Sequence, residues 1–200
     1  MSNLPDIILA SASPRRQELL ASIGISFQVI PSHIEENHRA GESPSAFVLR
    51  LSEEKAAEVA QRANITGRWV IGSDTIVLCD DDIIGKPTST QDSARMLRRL
   101  SGRSHQVLSG YAIIDRDNNT CLKRCVTTEV TFRTLTQDEI EGYIATGEPA
   151  DKAGSYAIQG IGSYIVTSIN GSYTNVVGLP MAHIVSDLKN LGAIKLFSKA

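Results

Sequence analysis

The sequence predicts a single α/β domain over residues 1–200, built around a mixed sheet, and three observations support this fold class. The chain has 200 residues, 42% of them hydrophobic, which is enough for one sizeable core. Short apolar runs typical of strands alternate with segments that carry helix start signals. Two strand-like runs follow one another in the middle of the chain, so strict strand–helix alternation is broken and an α+β mixed sheet is indicated.

The first half of the chain predicts three strands, each followed by a helix. Two of the helices begin with a Ser-Pro pair, Ser13-Pro14 and Ser43-Pro44, in which Ser caps free N–H groups and Pro suits the first helical position. The nearly continuous apolar run at residues 69–78 is typical of a buried central strand. The predicted elements are strands at 7–10, 27–30 and 69–78, and helices at 14–24, 44–62 and 89–100.

The second half predicts two paired strands, a helix, a long loop, a further strand and a last helix. In the second of the paired strands apolar residues recur with period two, which places them on one face of a sheet. Thr136 followed by Glu139 is the pattern of a capping box at a helix start. The predicted bounds are strands at 107–115 and 122–135, a helix at 136–145, a loop at 147–162, a strand at 164–169 and a helix at 179–191.

Composition and charge argue against several classes of protein. The net charge of -2 gives no overall basic field, so an anionic ligand would need a local cluster of Lys and Arg. Aromatic residues make up only 5% of the chain, which argues against a stable nucleic-acid partner. The three cysteines contain no CxxC pair, which favours free thiols in a reducing compartment over disulfides or zinc ligands.

The N-terminal segment does not resemble a secretory signal. An acidic residue precedes its short apolar run and basic residues follow it, which is the reverse of the signal pattern. No apolar run approaches the ~20 residues that a membrane span needs. We therefore expect a cytoplasmic protein without a membrane partner.

The junction between the first strand and the first helix is a candidate anion site. The segment SASPRR at residues 11–16 places the free N–H groups and the positive dipole end of a helix beside Arg15 and Arg16. Guanidinium groups bind phosphate through paired hydrogen bonds. The alternative is a capped helix with two solvated arginines, and spacing alone leaves both open.

Two ionisable residues fall where the predicted elements would bury them. Lys55 continues an i, i+4 stripe of apolar residues on the second helix, so its ammonium needs a carboxylate or phosphate partner unless it snorkels to the surface. Asp74 lies inside the hydrophobic third strand, after Gly72, which permits a close approach to the backbone. A metal ion or an activated water would give Asp74 a function, whereas hydrogen bonds from backbone N–H groups would make it structural.

Two shorter signals carry less information. Glu36 belongs to a pair of adjacent acids after the second strand, and only proximity to Asp74 would make it a magnesium ligand. Lys86 lies in a rigid Gly-Lys-Pro turn that presents one cation. Neither feature alone indicates a site.

The loop at residues 147–162 is long for a compact domain, and such loops are often functional. The amide of its Gln159 can donate to a nucleobase edge and accept from it, which suits base recognition. A packed surface loop is the alternative. His105 and His183 lack spacing partners for a metal, so we expect them to be structural or exposed.

Seven segments occur together in an order that resembles the Maf family. The resemblance runs from residue 8 to about residue 188, and seven motifs in order are far more specific than any one of them. The segments are LASASPRRQELL, IEE, GSDTIV, GKP, LSGRSHQV, GEPADKAGSYAIQG and INGSYTNVVGLP.

The resemblance implies an elongated fold similar to the inosine triphosphate pyrophosphatases, with two lobes and a central cleft. It also implies hydrolysis between the α and β phosphates of a nucleoside triphosphate with a divalent cation, Mg²⁺ or Mn²⁺, and a homodimer. Asp74 of GSDT matches the catalytic acid–base residue, and we expect it to hold the metal together with Glu36. The residues that match substrate-binding positions are Ser11, Arg15, Arg16, Lys55, Thr75, Lys86 and Gln159, of which Arg15, Thr75 and Gln159 are linked to substrate choice.

The family has one branch that prefers dTTP and UTP and another that prefers 7-methyl-GTP. The segments DKAGSYAIQG and INGSYTNVVGLP resemble the first branch, which implies a pyrophosphatase of dTTP, UTP and modified pyrimidine nucleotides that cleans the nucleotide pool. The family is also linked to septum formation and to arrest of cell division. Two alternatives stay open: a 7-methyl-GTP pyrophosphatase, and a nucleotide-binding division regulator without catalysis. The family often has GADT where this chain has GSDT, and the small Ser73 predicts little change.

Overall fold

The computed structural model describes residues 5–196 of the chain. Seven strands of this part form one sheet with parallel and antiparallel pairs, which confirms the predicted α/β fold with a mixed sheet. In chain order the strands are β1 (Ile7–Leu9), β2 (Gln28–Val29), β3 (Trp69–Cys79), β4 (Asp82–Ile84), β5 (Ser104–Asp115), β6 (Thr120–Phe132) and β7 (Val166–Asn170).

Strand β3 is a central strand of the sheet. The spatial order is β2-β1-β3-β5-β6-β7, and β4 also pairs with β3. β1 pairs in parallel with both β2 and β3, whereas β4 pairs antiparallel with β3 and β7 antiparallel with β6. Most of β3 is buried, as its continuous apolar run predicts.

Six α-helices accompany the sheet within residues 5–196. The predicted capping box is present, because the Thr136 hydroxyl accepts from the N–H of Glu139 while the Glu139 carboxylate accepts from the N–H of Thr136. Ser43 also caps its helix, by accepting from the N–H of Ala46 at 3.3 Å. The helices are α1 (Pro14–Ser22), α2 (Pro44–Ala60), α3 (Thr90–Leu100), α4 (Gln137–Ala145), α5 (Tyr173–Val177) and α6 (Met181–Asn190).

Several local predictions were wrong. Ser13 lies at the N-cap position of α1 with Pro14 after it, as predicted, but its side chain forms no capping hydrogen bond. The N–H of Ser13 donates to the Ser11 hydroxyl at 3.2 Å. The short elements β4 and α5 were not predicted. The predicted loop at 147–162 is not structureless, since three short 3-10 helices follow one another from there: Glu148–Asp151, Ala153–Ser155 and Ile161–Ile165.

The chain divides into two compact units. Unit 1 contains the described residues up to Asp74, the segment Ser109–Val126 and the described residues from Gly178 onward. Unit 2 contains Thr75–Leu108 and Thr127–Val177. The single domain and the central cleft expected from the sequence stay predictions.

Each unit has its own buried apolar cluster. The core of unit 1 includes Leu20, Tyr111 and Ile184, and the core of unit 2 includes Leu97 and Phe132. None of the helices between residues 5 and 196 combines the length and the apolarity that crossing a bilayer requires.

Candidate active site

Two glycines let α2 lie directly against the strands of unit 1. A Cβ atom at Gly72 in β3 would come within 2.1 Å of the Ser52 carbonyl oxygen. A Cβ atom at Gly110 in β5 would come within 2.3 Å of the Val48 carbonyl oxygen. Any larger residue at either position would displace α2. The close approach predicted beside Asp74 is thereby confirmed, and the approaching group is the backbone of α2.

Lys55 lies on the buried face of α2, as its apolar stripe predicts, and contacts two carboxylates. Its Nζ donates to Oδ1 of Asp74 at 2.6 Å and lies 2.6 Å from Oε1 of Glu36. The side chains of Lys55 and Asp74 are 10% and 9% exposed, whereas that of Glu36 is 48% exposed. The ammonium of Lys55 therefore pairs instead of snorkelling, and Glu36 connects the pair to solvent.

Backbone N–H groups do not hold the Asp74 carboxylate. Within the described part of the chain, its hydrogen-bond partner is Lys55, through Oδ1, and Oδ2 has none. Hydrogen bonds from backbone amides would have indicated a purely structural aspartate. The arrangement instead leaves one oxygen of a buried carboxylate able to accept a proton or bind a cation.

Arg16 on α1 is fixed by oxygens from distant parts of unit 1. Its Nε donates to the Gly178 carbonyl at 2.8 Å, and its Nη1 donates to the Ser73 carbonyl at 2.8 Å. Nη1 also lies 3.2 Å from the Ser11 hydroxyl, to which it donates. Ser11 therefore belongs to the site through Arg16, and Arg16 holds the backbone of β3 next to Asp74.

The two adjacent arginines have different surroundings. Desolvation by burial lowers the pKa of Arg16, although Asp74 and Glu36 act in the opposite direction. Arg16 therefore lies in the field of both carboxylates. Arg15 is partly buried and forms no hydrogen bond or ion pair with residues 5–196, so its guanidinium is available to a ligand.

The remaining predicted contacts lie in unit 2. Thr75 is partly buried in β3. Lys86 and Gln159 are exposed, and neither side chain has a hydrogen bond or ion pair with the described residues. The N–H of Gly154 donates to the Gly85 carbonyl at 3.0 Å, which ties the long loop to the Gly-Lys-Pro turn. The Lys86 ammonium and the Gln159 amide therefore lie on two segments that are joined by a hydrogen bond, and both groups are available to a ligand.

The lone histidines have the structural and exposed positions expected of them. His105 is buried in unit 2, with its Nε2 2.8 Å from the Tyr156 hydroxyl and its ring edge-to-face against Phe132. Burial lowers the pKa of His105 to about 4. His183 is exposed on α6. All three cysteines are free thiols, as predicted.

Glu36 and Asp74 fit a shared divalent cation. Both carboxylates already converge on one positive charge, since Lys55 Nζ lies 2.6 Å from each. Mg²⁺ is usually bound by one or two carboxylates, with water and substrate phosphates completing its shell. The described residues hold no group of three or more His, Cys, Asp or Glu side chains arranged for a metal. Two carboxylates are a donor set that Mg²⁺ binds together with water and phosphate oxygens.

Sequence reasoning missed two kinds of group. The carbonyls of Ser73 and Gly178 hold Arg16, and no residue-type signal could have found them because every residue has a carbonyl. Tyr143 and Glu148 bind the segment around Gln159 and were not singled out. The sequence does show a carboxylate at the start of a Gly-rich loop and a tyrosine on the preceding helix, and this pattern could have indicated that the two residues hold the loop.

Comparison with known proteins identifies the family of this chain. A family model described as Maf-like protein matches residues 6–191. The chain belongs to the Maf family. A relative from Syntrophotalea carbinolica, named dTTP/UTP pyrophosphatase, is 56% identical over 192 residues, which cover 96% of this chain and 87% of the relative.

Two further relatives carry the same name, dTTP/UTP pyrophosphatase. The protein from Geobacter sulfurreducens is 53% identical, with 94% of this chain and 97% of the relative covered. The protein from Shigella sonnei is 47% identical, with 96% of each chain covered. The similarity therefore extends over nearly the full length of each protein.

Ser73 is the position at which this chain departs from the common Maf segment GADT. Its side chain is fully buried, and its hydroxyl donates to the Gly110 carbonyl at 2.9 Å. The hydroxyl thus has a hydrogen-bond partner in β5 and does not disturb the strand.

Proposed function

We propose that this protein hydrolyses dTTP and UTP to the nucleoside monophosphate and pyrophosphate. The observation that carries the proposal is the buried Asp74 carboxylate, bonded to Lys55 through one oxygen and open at the other. A buried carboxylate with a cation partner and a free oxygen is the arrangement of a general base. The names of the relatives supply the substrate, dTTP and UTP.

The proposed reaction is an in-line displacement at the α-phosphorus. The oxygen of a water forms a bond to that phosphorus, its proton passes to Oδ2 of Asp74, and the bond from the α-phosphorus to the bridging oxygen breaks. Pyrophosphate leaves with the bond's electron pair. Reactions of this kind are catalysed mainly by positioning and electrostatics, so the placement of charge in unit 1 matters most.

The cations of unit 1 have separate tasks in this proposal. Arg15 has no hydrogen bond or ion pair with the described chain and is free to bind a phosphate through paired hydrogen bonds. Arg16 holds the backbone next to Asp74 and adds a positive field to the site. Lys55 orients the Asp74 carboxylate and balances its charge.

Glu36 and Asp74 would hold the divalent cation, Mg²⁺ or Mn²⁺. When bound, such a cation neutralises phosphate charge as it develops on the leaving group. The protein's own contribution is to keep the two carboxylates close together through their shared partner Lys55.

We also propose substrate contacts for three residues of unit 2, each argued from its own surroundings. Lys86 and Gln159 are exposed and uncommitted, which supports a phosphate contact for the first and a base contact for the second. Thr75 directly follows Asp74 in β3, and its hydroxyl matches a position linked to substrate choice.

The test is release of pyrophosphate by the purified protein with magnesium from dTTP, UTP, CTP and 7-methyl-GTP. We expect dTTP and UTP to be preferred, and in labelled water the label should enter the monophosphate because water attacks the α-phosphorus. Preference for 7-methyl-GTP would favour the other branch of the family, and label in pyrophosphate would refute the proposed site of attack.

We place this activity in the cytoplasm, where it would remove modified pyrimidine nucleotides, and free thiols support a reducing compartment. A link to septum formation is separable from catalysis. In cells that lack the protein, a division defect corrected equally by wild type and by Asp74→Asn would indicate a regulator that acts without hydrolysis.

A further inference from the structure

The Glu148 carboxylate in unit 2 accepts three hydrogen bonds. Its Oε2 accepts from the Tyr143 hydroxyl at 2.7 Å and from the N–H of Gly162 at 2.8 Å. Its Oε1 accepts from the N–H of Ile161 at 2.8 Å. A carboxylate shared between side-chain and backbone donors forms charge-assisted bonds, which are among the stronger ones in proteins.

The Tyr143 hydroxyl extends this contact to the other end of the same segment. It donates to Glu148 and accepts from the N–H of Ala157 at 3.0 Å. Tyr143 is buried, so its hydroxyl has little access to competing water. Tyr143 and Glu148, called the latch below, therefore bind the backbone at residues 157 and 161–162. Residues 158–160, called the bridge, lie between these two points.

The backbone of this bridge lies close to the Glu148 carboxylate at Gly160. Gly160 has φ of 94°, which favours glycine, and a Cβ atom there would lie 2.3 Å from Oε1 of Glu148. Partial burial acts to raise the pKa of Glu148, but the bonds from Tyr143 and from the two N–H groups outweigh it and lower that pKa. The latch carboxylate is therefore held in its charged form by the segment that it binds.

Gln159 lies in the middle of the bridge. It is exposed, and its amide has no hydrogen bond to any residue that the structure describes. The backbone on either side is fixed while the side chain is uncommitted. This combination suits recognition, because the backbone is already ordered and only the side chain loses conformational freedom when the amide binds.

We propose that Tyr143 and Glu148 are positioning residues that hold Gln159 for recognition of the nucleobase. The proposal rests on the proposed function, in which Gln159 reads the base of dTTP or UTP. The latch residues themselves touch no substrate, and they act by fixing the backbone on both sides of Gln159.

The test compares Glu148→Gln and Tyr143→Phe with the matched control Glu141→Gln, which changes an exposed carboxylate on α4 outside the latch. Kinetics of pyrophosphate release from dTTP and CTP give kcat and KM. Calorimetric binding of dTTP and CTP in the Asp74→Asn background gives affinities without turnover. Thermal unfolding reports the stability of each variant.

We expect each latch variant to raise KM for dTTP by about tenfold while kcat changes by less than about twofold, because the lost interaction serves binding and not the chemical step. Preference for dTTP over CTP should fall by a similar factor, and the control should match wild type. In a Gln159→Ala background the latch substitutions should have little further effect, because both act through one group.

Two results would overturn the proposal. One is a latch variant that unfolds at lower temperature but keeps the wild-type preference for dTTP over CTP in both kinetics and binding. The other is a double variant in which the fold-increase in KM equals the product of the increases caused by the latch substitution and by Gln159→Ala alone. Failure of the proposed function looks different: wild type would release no pyrophosphate, while the binding preference for dTTP would still report on the latch.

Discussion

Arg15 and Arg16 are neighbours in sequence, but the structure commits only one of them to backbone oxygens. Arg16 donates to the carbonyls of Ser73 and Gly178, whereas Arg15 forms no hydrogen bond or ion pair with residues 5–196. Each of these two carbonyl bonds joins α1 to a segment far away in the chain. Arg16 therefore has a structural as well as an electrostatic role. The proposed role of Arg15 is only to bind the ligand.

Substitution of the two arginines should separate these tasks. Arg15→Ala should lower kcat/KM for dTTP by about 10- to 100-fold and leave stability within about 0.5 kcal/mol, because it removes a ligand contact alone. Arg16→Ala should lower kcat/KM and also cost about 2 kcal/mol of stability through lost, partly buried hydrogen bonds. Steady-state kinetics and denaturant unfolding measure both, and an inactive, destabilised Arg15→Ala would contradict this division.

Lys55 provides a second prediction for a single residue. Lys55→Met removes the ammonium between Asp74 and Glu36 and leaves two carboxylates facing one another, so we expect a loss of about 3 kcal/mol in the free energy of unfolding. Lys189→Met is the control, since that exposed lysine lies in the last turn of α6. Equal stability of the two variants in urea would show that the buried pair contributes nothing.

At the scale of elements, the packing of α2 on β3 sets the distance between Lys55 and Asp74. Gly72→Ala would place a methyl group about where the Ser52 carbonyl lies, so α2 must move away and carry Lys55 with it. We expect a loss of about 1–3 kcal/mol in stability and a fall in kcat. Thermal unfolding and dTTP turnover measure the two effects.

Gly142→Ala is the matched control for that substitution. Gly142 lies in α4, and a Cβ atom there meets nothing within 4 Å. Alanine should therefore stabilise the helix by about 0.5–1 kcal/mol and leave turnover unchanged. If Gly72→Ala behaved like Gly142→Ala, close packing of α2 would not be what places Lys55.

Elements with strong local signals could be predicted from the sequence, and those defined by distant partners could not. The Ser43 cap and the capping box at Thr136 were both found, since cap and helix lie within four residues of each other. At Ser13 the predicted N-cap position was right, but the predicted side-chain hydrogen bond is not formed. The five-residue helix α5 was missed because so short a segment carries no helical periodicity.

The candidate site shows the same division. Burial of Lys55 and Asp74 followed from their positions in apolar patterns, so the need for a partner was predictable. The identity of the partners was not predictable, because Glu36 lies in an irregular segment without periodicity. The site roles given to these residues stay predictions that the experiments above examine.

At the scale of the whole molecule, His105 should make folding stability depend on pH. Burial lowers its pKa from 6.5 to about 4, so between these values the unfolded chain binds a proton that the folded protein does not. Stability therefore falls as pH decreases from 6.5 to about 4, with a contribution of up to about 3 kcal/mol from this residue.

His105→Gln should remove this part of the pH dependence. Urea unfolding gives the free energy of unfolding of wild type and variant at each pH. The free energy of wild type minus that of the variant should decrease by up to about 3 kcal/mol as the pH falls from 6.5 to about 4. His183→Gln, at an exposed position on α6, is the control and should follow wild type. Parallel wild-type and His105→Gln curves would show that His105 does not carry the effect.

Pyrophosphate release from dTTP by Asp74→Asn is the measurement that bears most directly on the proposed function of the whole protein. With magnesium and saturating dTTP, turnover should fall by about 1,000-fold relative to wild type, because the amide cannot accept the proton of the attacking water. The variant should keep a cooperative unfolding transition. Turnover within about threefold of wild type would contradict the assignment of Asp74 as the general base and, with it, the proposed mechanism.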